Sequence, residues 1–179
     1  SCIMDKLFDL EGRVVVITGG LGQLGRQFTD ALVQRGAKVA VLDKIADEDI
    51  QDNLVTLQVD VTDRSSIEDA CSKVKALWGV PNGLINNAAL DSPPGASVEE
   101  NGPFEDYPAD SWDQVMSVNT KGVFLCCQVV GGEMAKMGRG SIVNVASIYG
   151  MVSPDQSLYE YRRRSGEEFY KPVAYSASK

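Results

Sequence analysis

The eight residues TGGLGQLG, Thr18–Gly25, constrain this chain more than any other stretch. Four of them are glycine. They follow the β-branched run RVVVI and precede a helical pattern in which Leu24, Phe28, Ala31 and Leu32 recur, with Gly36 as its stop. Continuous rather than alternating apolarity reads as a strand covered on both faces, as in a parallel sheet. Glycines at the end of such a strand let the backbone approach a pyrophosphate closely. The helix that follows offers free N–H groups and the positive end of its dipole. An ordinary tight turn is the competing reading of a glycine cluster. The strand before it and the helix after it favour the ligand cradle.

The same alternation continues along the chain. AKVAVLD (37–43) and LVTLQVDV (54–61) read as the second and third strands. Ile67, Ala70, Cys71, Val74, Leu77 and Trp78 trace one helical face, which Gly79 ends. NGLINNAA (82–89) reads as a fourth strand and GSIVNVAS (140–147) as a fifth. Between them the pattern predicts one long helix from Ser111 to about Met137, capped by Asp110. Residues 90–110 read as a surface loop and 150–172 as a second irregular stretch. The predicted fold class is α/β, a Rossmann-like doubly wound parallel sheet, in a single domain over residues 1–179.

Composition narrows the partners. Seventeen Lys and Arg against 25 Asp and Glu give a net charge of −8. A nucleic-acid binder needs a basic face, and an anionic membrane surface is disfavoured for the same reason. The absence of histidine excludes His-based triads and His-containing metal sites in this chain, so no metal centre is expected. Cys2, Cys71, Cys126 and Cys127 form no CxxC pair and read as packed thiols. No apolar run reaches the roughly 18 residues of a membrane span, and the start of the chain is unlike a signal peptide. A soluble, cytoplasmic protein is expected.

Asp43 ends the second strand, where a carboxylate accepts hydrogen bonds from the adenosine ribose and repels a 2′-phosphate. That favours NAD over NADP. Lys44 follows and could hold such a phosphate. Asp43 could also be a simple turn residue. Asn119 is a polar residue on the apolar stripe Trp112, Met116, Val123, Val130, so its amide must find partners, structural or catalytic. Ser147 taken alone could cap a turn, and Tyr175 and Lys179 taken alone could be a helical surface pair.

Taken together, the motifs TGGLGQLG, DVT (60–62), NNAA (86–89), VNTKGVF (118–124), SIVNVAS (141–147) and YSASK (175–179) resemble the short-chain dehydrogenase/reductase family, in the family's order and over nearly the whole chain. The resemblance implies roles for four residues. Tyr175 would be the general acid/base. Lys179, one helical turn on, would favour its phenolate and hold the nicotinamide ribose. Ser147 would hydrogen-bond the substrate oxygen, and Asn119 would position water in a proton relay. Cofactor contacts are implied for Gly19, Gly22, Gln23, Leu24 and Gly25, for Asp43, Asp60 and Val61, for Asn87, Ala88 and Ala89, and for Tyr175 and Lys179. Asp60 would sit near the adenine, and Asn87 would brace the neighbouring strands. The implied activity is NAD-dependent interconversion of a secondary alcohol and a carbonyl in a small-molecule substrate, by a homodimer or homotetramer. The alternatives are a nucleotide-sugar epimerase or dehydratase and a non-catalytic dinucleotide-binding fragment.

The sequence departs from the family pattern in places. Gln23 stands where compact members usually carry glycine, a spacing that resembles the epimerase branch; NNAA and NTKGVF resemble the compact dehydrogenases. Ala89 also replaces a usual glycine. The interval from Ser147 to Tyr175 is enlarged by SPDQSLYEYRRRSGEEFYKP, which carries Arg162, Arg163, Arg164 and four aromatic residues. With Tyr149 these arginines are candidate substrate contacts, for an anionic or sugar-like molecule. A solvated excursion or a subunit contact is the alternative. The insertion is similar to those of oxidoreductases linked to bacterial surface-sugar and flagellin modification. The family's catalytic helix, two further strands and substrate loop extend beyond the position of Lys179, so the chain is expected to be a piece of a longer protein whose fifth strand lacks a neighbour.

Overall fold

The computed structural model describes residues 6–92, 98–167 and 169–179. They form two compact units. One comprises the described residues up to Ala88 together with Gly122–Val145; the other comprises Ala89–Lys121 and Ala146–Lys179.

The first unit is built on a sheet of β1 (Val14–Thr18), β2 (Lys38–Asp43), β3 (Asp49–Ile50), β4 (Leu54–Gln58), β5 (Gly83–Asn86) and β6 (Ser141–Asn144), in the order β3-β4-β2-β1-β5-β6. All pairings are parallel except β3 with β4. β1 is buried at every residue. Its side chains alternate between faces, so Val15 and Ile17 join Val39 and Val41 in one cluster, on which Phe28 and Leu32 pack. Val14 and Val16 are buried on the other face. Helices α1 (Gln23–Gln34) and α2 (Arg64–Trp78) pack on the sheet. Asp63 caps α2 by accepting from the Ser65 N–H, and Ile67, Ala70, Cys71 and Val74 are its buried face. Trp78 and Leu77 complete the expected stripe in sequence, but Leu77 is exposed.

Several expectations are corrected. The two-residue strand β3 was not anticipated. The long helix begins at Ala109, not Ser111. Pro108 occupies the cap position with no side-chain cap, and Asp110 lies inside the first turn. There its carboxylate meets the positive end of the dipole instead of capping it. The helical stretch is also divided: α3 (Ala109–Met116), π-helical turns Ser117–Gly122, α4 (Val123–Cys126), π-helical turns Cys127–Gly131 and α5 (Gly132–Lys136). β6 is an edge strand whose four residues are all exposed.

In the second unit, residues 150–172 are not wholly irregular. Asp155 caps a helical turn at Gln156–Tyr159 by accepting from the Ser157 N–H, and α6 (Glu160–Arg164) follows. α7 (Val173–Ser178) carries Tyr175 and packs against α3 and the turn Ile148–Gly150. The stretch before α3 is not only surface either. Glu100 is buried and accepts a hydrogen bond from the Ser111 hydroxyl. Cys71, Cys126 and Cys127 are free thiols; Cys2 lies outside the described residues, as do 93–97 of the predicted loop. No helix among the described residues is long and apolar enough to cross a membrane, and no group of metal-binding side chains occurs among them.

Candidate functional site

The glycine turn is built by close backbone approach. Gly19 has φ +64°, and a Cβ there would lie 2.7 Å from the Ala88 Cα. A Cβ on Gly25 would lie 2.2 Å from the Gly19 carbonyl oxygen. Only glycine lets α1 start this close to the end of β1. Gly22 is the cap residue of α1 and supplies no side-chain acceptor. The first-turn N–H groups therefore have no side-chain cap. Gln23 and Leu24, the first two residues of α1, are exposed, Leu24 by 55%.

Around this turn, Asp43 at the end of β2 accepts from the Leu21 N–H at 3.1 Å through Oδ2 and from the Ile45 N–H at 3.2 Å through Oδ1. It thus ties the glycine turn to β2. Asp60 accepts from the Thr62 N–H and hydroxyl at 2.9 and 2.7 Å. These bonds, the hydroxyl's above all, and the nearby Lys44 hold its carboxyl below the usual range. Lys44 Nζ lies 3.0 Å from Asp60 Oδ2, so its charge is met within the site. Val61 is buried.

Asn87 donates from Nδ2 to the carbonyls of Thr18 and Gly19, at 3.1 and 2.9 Å. The backbone N–H groups of Asn87 and Ala88 both donate to the Thr18 hydroxyl at 3.1 Å. Thr18 was not singled out from the sequence. The signal was available: a hydroxyl at the end of an otherwise apolar strand, buried at 2% exposure, has to find partners.

The second unit gathers Asn119, Ser147, Tyr149, Tyr175 and Lys179, with the exposed Ala89. Asn119 sits in the π-helical turns after α3, a geometry frequent at functional sites. It is 5% exposed. Its Oδ1 accepts from the Leu90 N–H at 2.7 Å. Its Nδ2 donates to the Leu90 carbonyl and to the Ser178 hydroxyl, each at 2.8 Å. Asn119 therefore anchors α7 through Ser178, a contact that no local pattern predicts.

Ser147 accepts from the Tyr149 N–H at 3.2 Å and caps the turn Ile148–Gly150. One O–H donor remains to it. That turn lies against the end of α7: a Cβ at Gly150 would stand 2.3 Å from the Lys179 carbonyl carbon. Burial lowers the pKa of the Lys179 ammonium. The Tyr159 phenol is pushed up to about 12, first by its hydrogen bond with Tyr149 and then by burial.

The three arginines are engaged within their own segment. Arg162 pairs with Glu167 and stacks over the Phe169 ring at 3.8 Å. Arg163 donates to the carbonyls of Phe169 and Gln156 at 2.9 and 2.8 Å. Arg164 pairs with Glu160 at 2.9 Å. Tyr159 and Phe169 meet with ring centroids 5.0 Å apart.

A family profile described as short chain dehydrogenase matches residues 13–161, which take in the glycine turn, Asn119 and Ser147. The NAD-dependent glycerol dehydrogenase of Listeria innocua is 32% identical over 183 residues, covering 98% of this chain and 62% of that protein. The D-threitol dehydrogenase of Mycolicibacterium smegmatis is 32% identical over 164 residues, covering 87% and 60%. A short chain dehydrogenase from Leptospira borgpetersenii, solved with bound NAD+, superposes with a TM-score of 0.79 at 25% identity, covering 99% of this chain and 65% of that one. The chain thus spans about three fifths of the length of the curated relatives it matches. The expected similarity to surface-sugar and flagellin-modifying oxidoreductases is not borne out by these polyol dehydrogenases. With its motif order, its sheet and the profile match over most of its length, the chain belongs to the short-chain dehydrogenase family.

Proposed function

We propose that this chain carries the cofactor cradle and the acid/base group of an NAD-dependent oxidoreductase that interconverts a secondary alcohol and a carbonyl. The observation that carries the reading is the second unit's constellation: Tyr175 and Lys179 one turn apart, beside the turn capped by Ser147, with Asn119 bonded to the same helix.

The cradle fits a dinucleotide. Gly19 and Gly25 let the turn close tightly on Ala88 and on the Gly19–Gly20 backbone, and the start of α1, which has no side-chain cap, leaves N–H groups that a pyrophosphate can take up. Each Asp43 oxygen already accepts one backbone N–H and keeps a lone pair for a ribose hydroxyl. Its charge disfavours a 2′-phosphate, and Lys44 is drawn off by Asp60. NAD is therefore the expected cofactor. The nicotinamide ring, once bound, accepts or returns the hydride.

The rest belongs to side chains. Tyr175 exchanges the proton with the substrate oxygen, giving it to a carbonyl and taking it from an alcohol. Ser147 donates its free O–H to that same oxygen. Asn119 has both amide hydrogens committed, so it can hold a relay water only through a remaining oxygen lone pair. Since Arg162, Arg163 and Arg164 are met by their own segment, a neutral polyol fits better than an anionic substrate. The glycerol and threitol dehydrogenases among the relatives support that class. Titration calorimetry of the full-length protein with NAD and with NADP tests the cradle. Tighter NAD binding is expected; preference for NADP, or binding of neither, refutes this reading of Asp43 and the glycine turn.

A further inference from the structure

Lys171 is not among the residues that the family motifs single out. It lies in the insertion, two residues before α7, and its side chain is 15% exposed. Lysine is almost never buried unless paired. Here the ammonium donates to both oxygens of Asp91, at 2.6 and 2.7 Å. It also stands 4.7 Å from the centroid of the Tyr175 ring. Its backbone N–H donates to Gln156 Oε1 at 3.1 Å. One residue therefore joins three parts of the second unit: the loop after β5, the folded insertion and the tyrosine of the YSASK motif.

The rest of the insertion is tied down on either side of Lys171 in sequence. Arg163 binds the carbonyls of Phe169 and Gln156, and the Tyr170 N–H donates to the Asn101 carbonyl at 2.6 Å. A flexible ammonium loses much rotamer freedom in such a place, so the contacts must be specific. A cation against a ring face is attracted by the ring's quadrupole. Asp91 fixes where that cation sits. The ring, pressed from one face, is restricted in the torsions that place its hydroxyl.

We propose that Lys171, held by Asp91, is a positioning residue that orients Tyr175. This rests on the reading of Tyr175 as the acid/base. On it, the insertion serves the reaction by bracing the tyrosine, and its arginines hold the brace together.

The test uses the full-length protein with a polyol and NAD. Lys171→Met is expected to lower kcat about tenfold or more, since small misplacements of a reacting group are costly. The KM for the polyol and the calorimetric Kd for NAD should stay within about twofold. Lys171→Arg, which keeps the cation and can bind Asp91, should recover most of kcat. A Lys171→Met enzyme with unchanged kcat, or one changed only in KM, overturns the proposal. If Lys171→Met also loses NAD binding, the milder Asp91→Asn decides: a several-fold fall in kcat supports the proposal and an unchanged kcat overturns it. Tyr175→Phe separates the two readings. An active Tyr175→Phe enzyme removes the acid/base reading and this inference with it. An inactive Tyr175→Phe beside a fully active Lys171→Met removes the inference alone.

Discussion

The two units handle their chemistry in different ways. The first makes its cradle from backbone: glycines without Cβ atoms, uncapped helical N–H groups and one strand-end carboxylate. The second works through side chains, two of which are held by partners distant in sequence. Asn119 is bonded to Leu90 and Ser178, and Lys171 to Asp91. A backbone cradle tolerates change at exposed positions such as Gln23 and is broken by a single added methyl. A side-chain site is broken at any member of its network.

The largest expected effect falls in the second unit. Tyr175→Phe should lower turnover by about 10²- to 10⁴-fold, the usual worth of a general acid/base, while NAD affinity measured by calorimetry stays near that of the parent. A parallel loss of NAD affinity would break the division between the units. Next comes the cradle. In Gly25→Val the new side chain meets the Gly19 carbonyl and the Gly20 Cα. Overpacking of this kind costs about 1–3 kcal/mol, so NAD binding should weaken about tenfold or more, or thermal stability fall. A variant with parental Kd and Tm would show that the close approach is not real.

Asp43→Asn should act more selectively. Removing a charge-assisted acceptor costs about 1.5–3 kcal/mol, so NAD binding weakens while NADP, freed of repulsion, loses less. An equal loss for both dinucleotides would make Asp43 a turn residue only. The smallest effect concerns acid stability of the first unit. Lys136 first, and then Lys75, hold the Glu133 carboxyl down to about 2, against an ordinary 4.5. A depressed carboxyl contributes stability that is complete above its unfolded pKa and lost as pH falls through the folded one. The Tm should therefore drop between about pH 4.5 and 2 partly through Glu133. Glu133→Gln should flatten that part of the Tm–pH curve, and an unchanged slope would remove Glu133 from the account.

What could be read in the sequence follows the same contrast. β1, α1 and the glycine turn are local: apolar runs, helical spacing and glycines sit next to one another in the chain. Their residues were identifiable in advance because their causes are neighbours. β3 is not legible in the sequence because two residues pairing with Thr56 and Val55 leave no periodic pattern. The start of α3 departs from the sequence pattern because Pro108, not Asp110, takes the cap position. Residues 150–172 read as irregular because their polar composition hides supports that follow no helical or strand period: the Arg163 bonds to Gln156 and Phe169 and the Tyr159–Phe169 ring contact within the segment, and the long-range Lys171–Asp91 pair. Asn119 is intermediate. Its place on an apolar stripe showed that it needed partners, but only the folded unit shows that they are Leu90 and Ser178.

The central proposal is that this chain supplies the dinucleotide cradle and the acid/base group of an NAD-dependent oxidoreductase. Net NADH formation by the full-length protein, supplied with NAD and an unphosphorylated polyol, tests it most directly. The account predicts that NADH accumulates in step with a carbonyl product, and that Tyr175→Phe abolishes both. Tight NAD binding with no net NADH from any polyol would contradict it and point to an enzyme that returns the hydride to its own substrate.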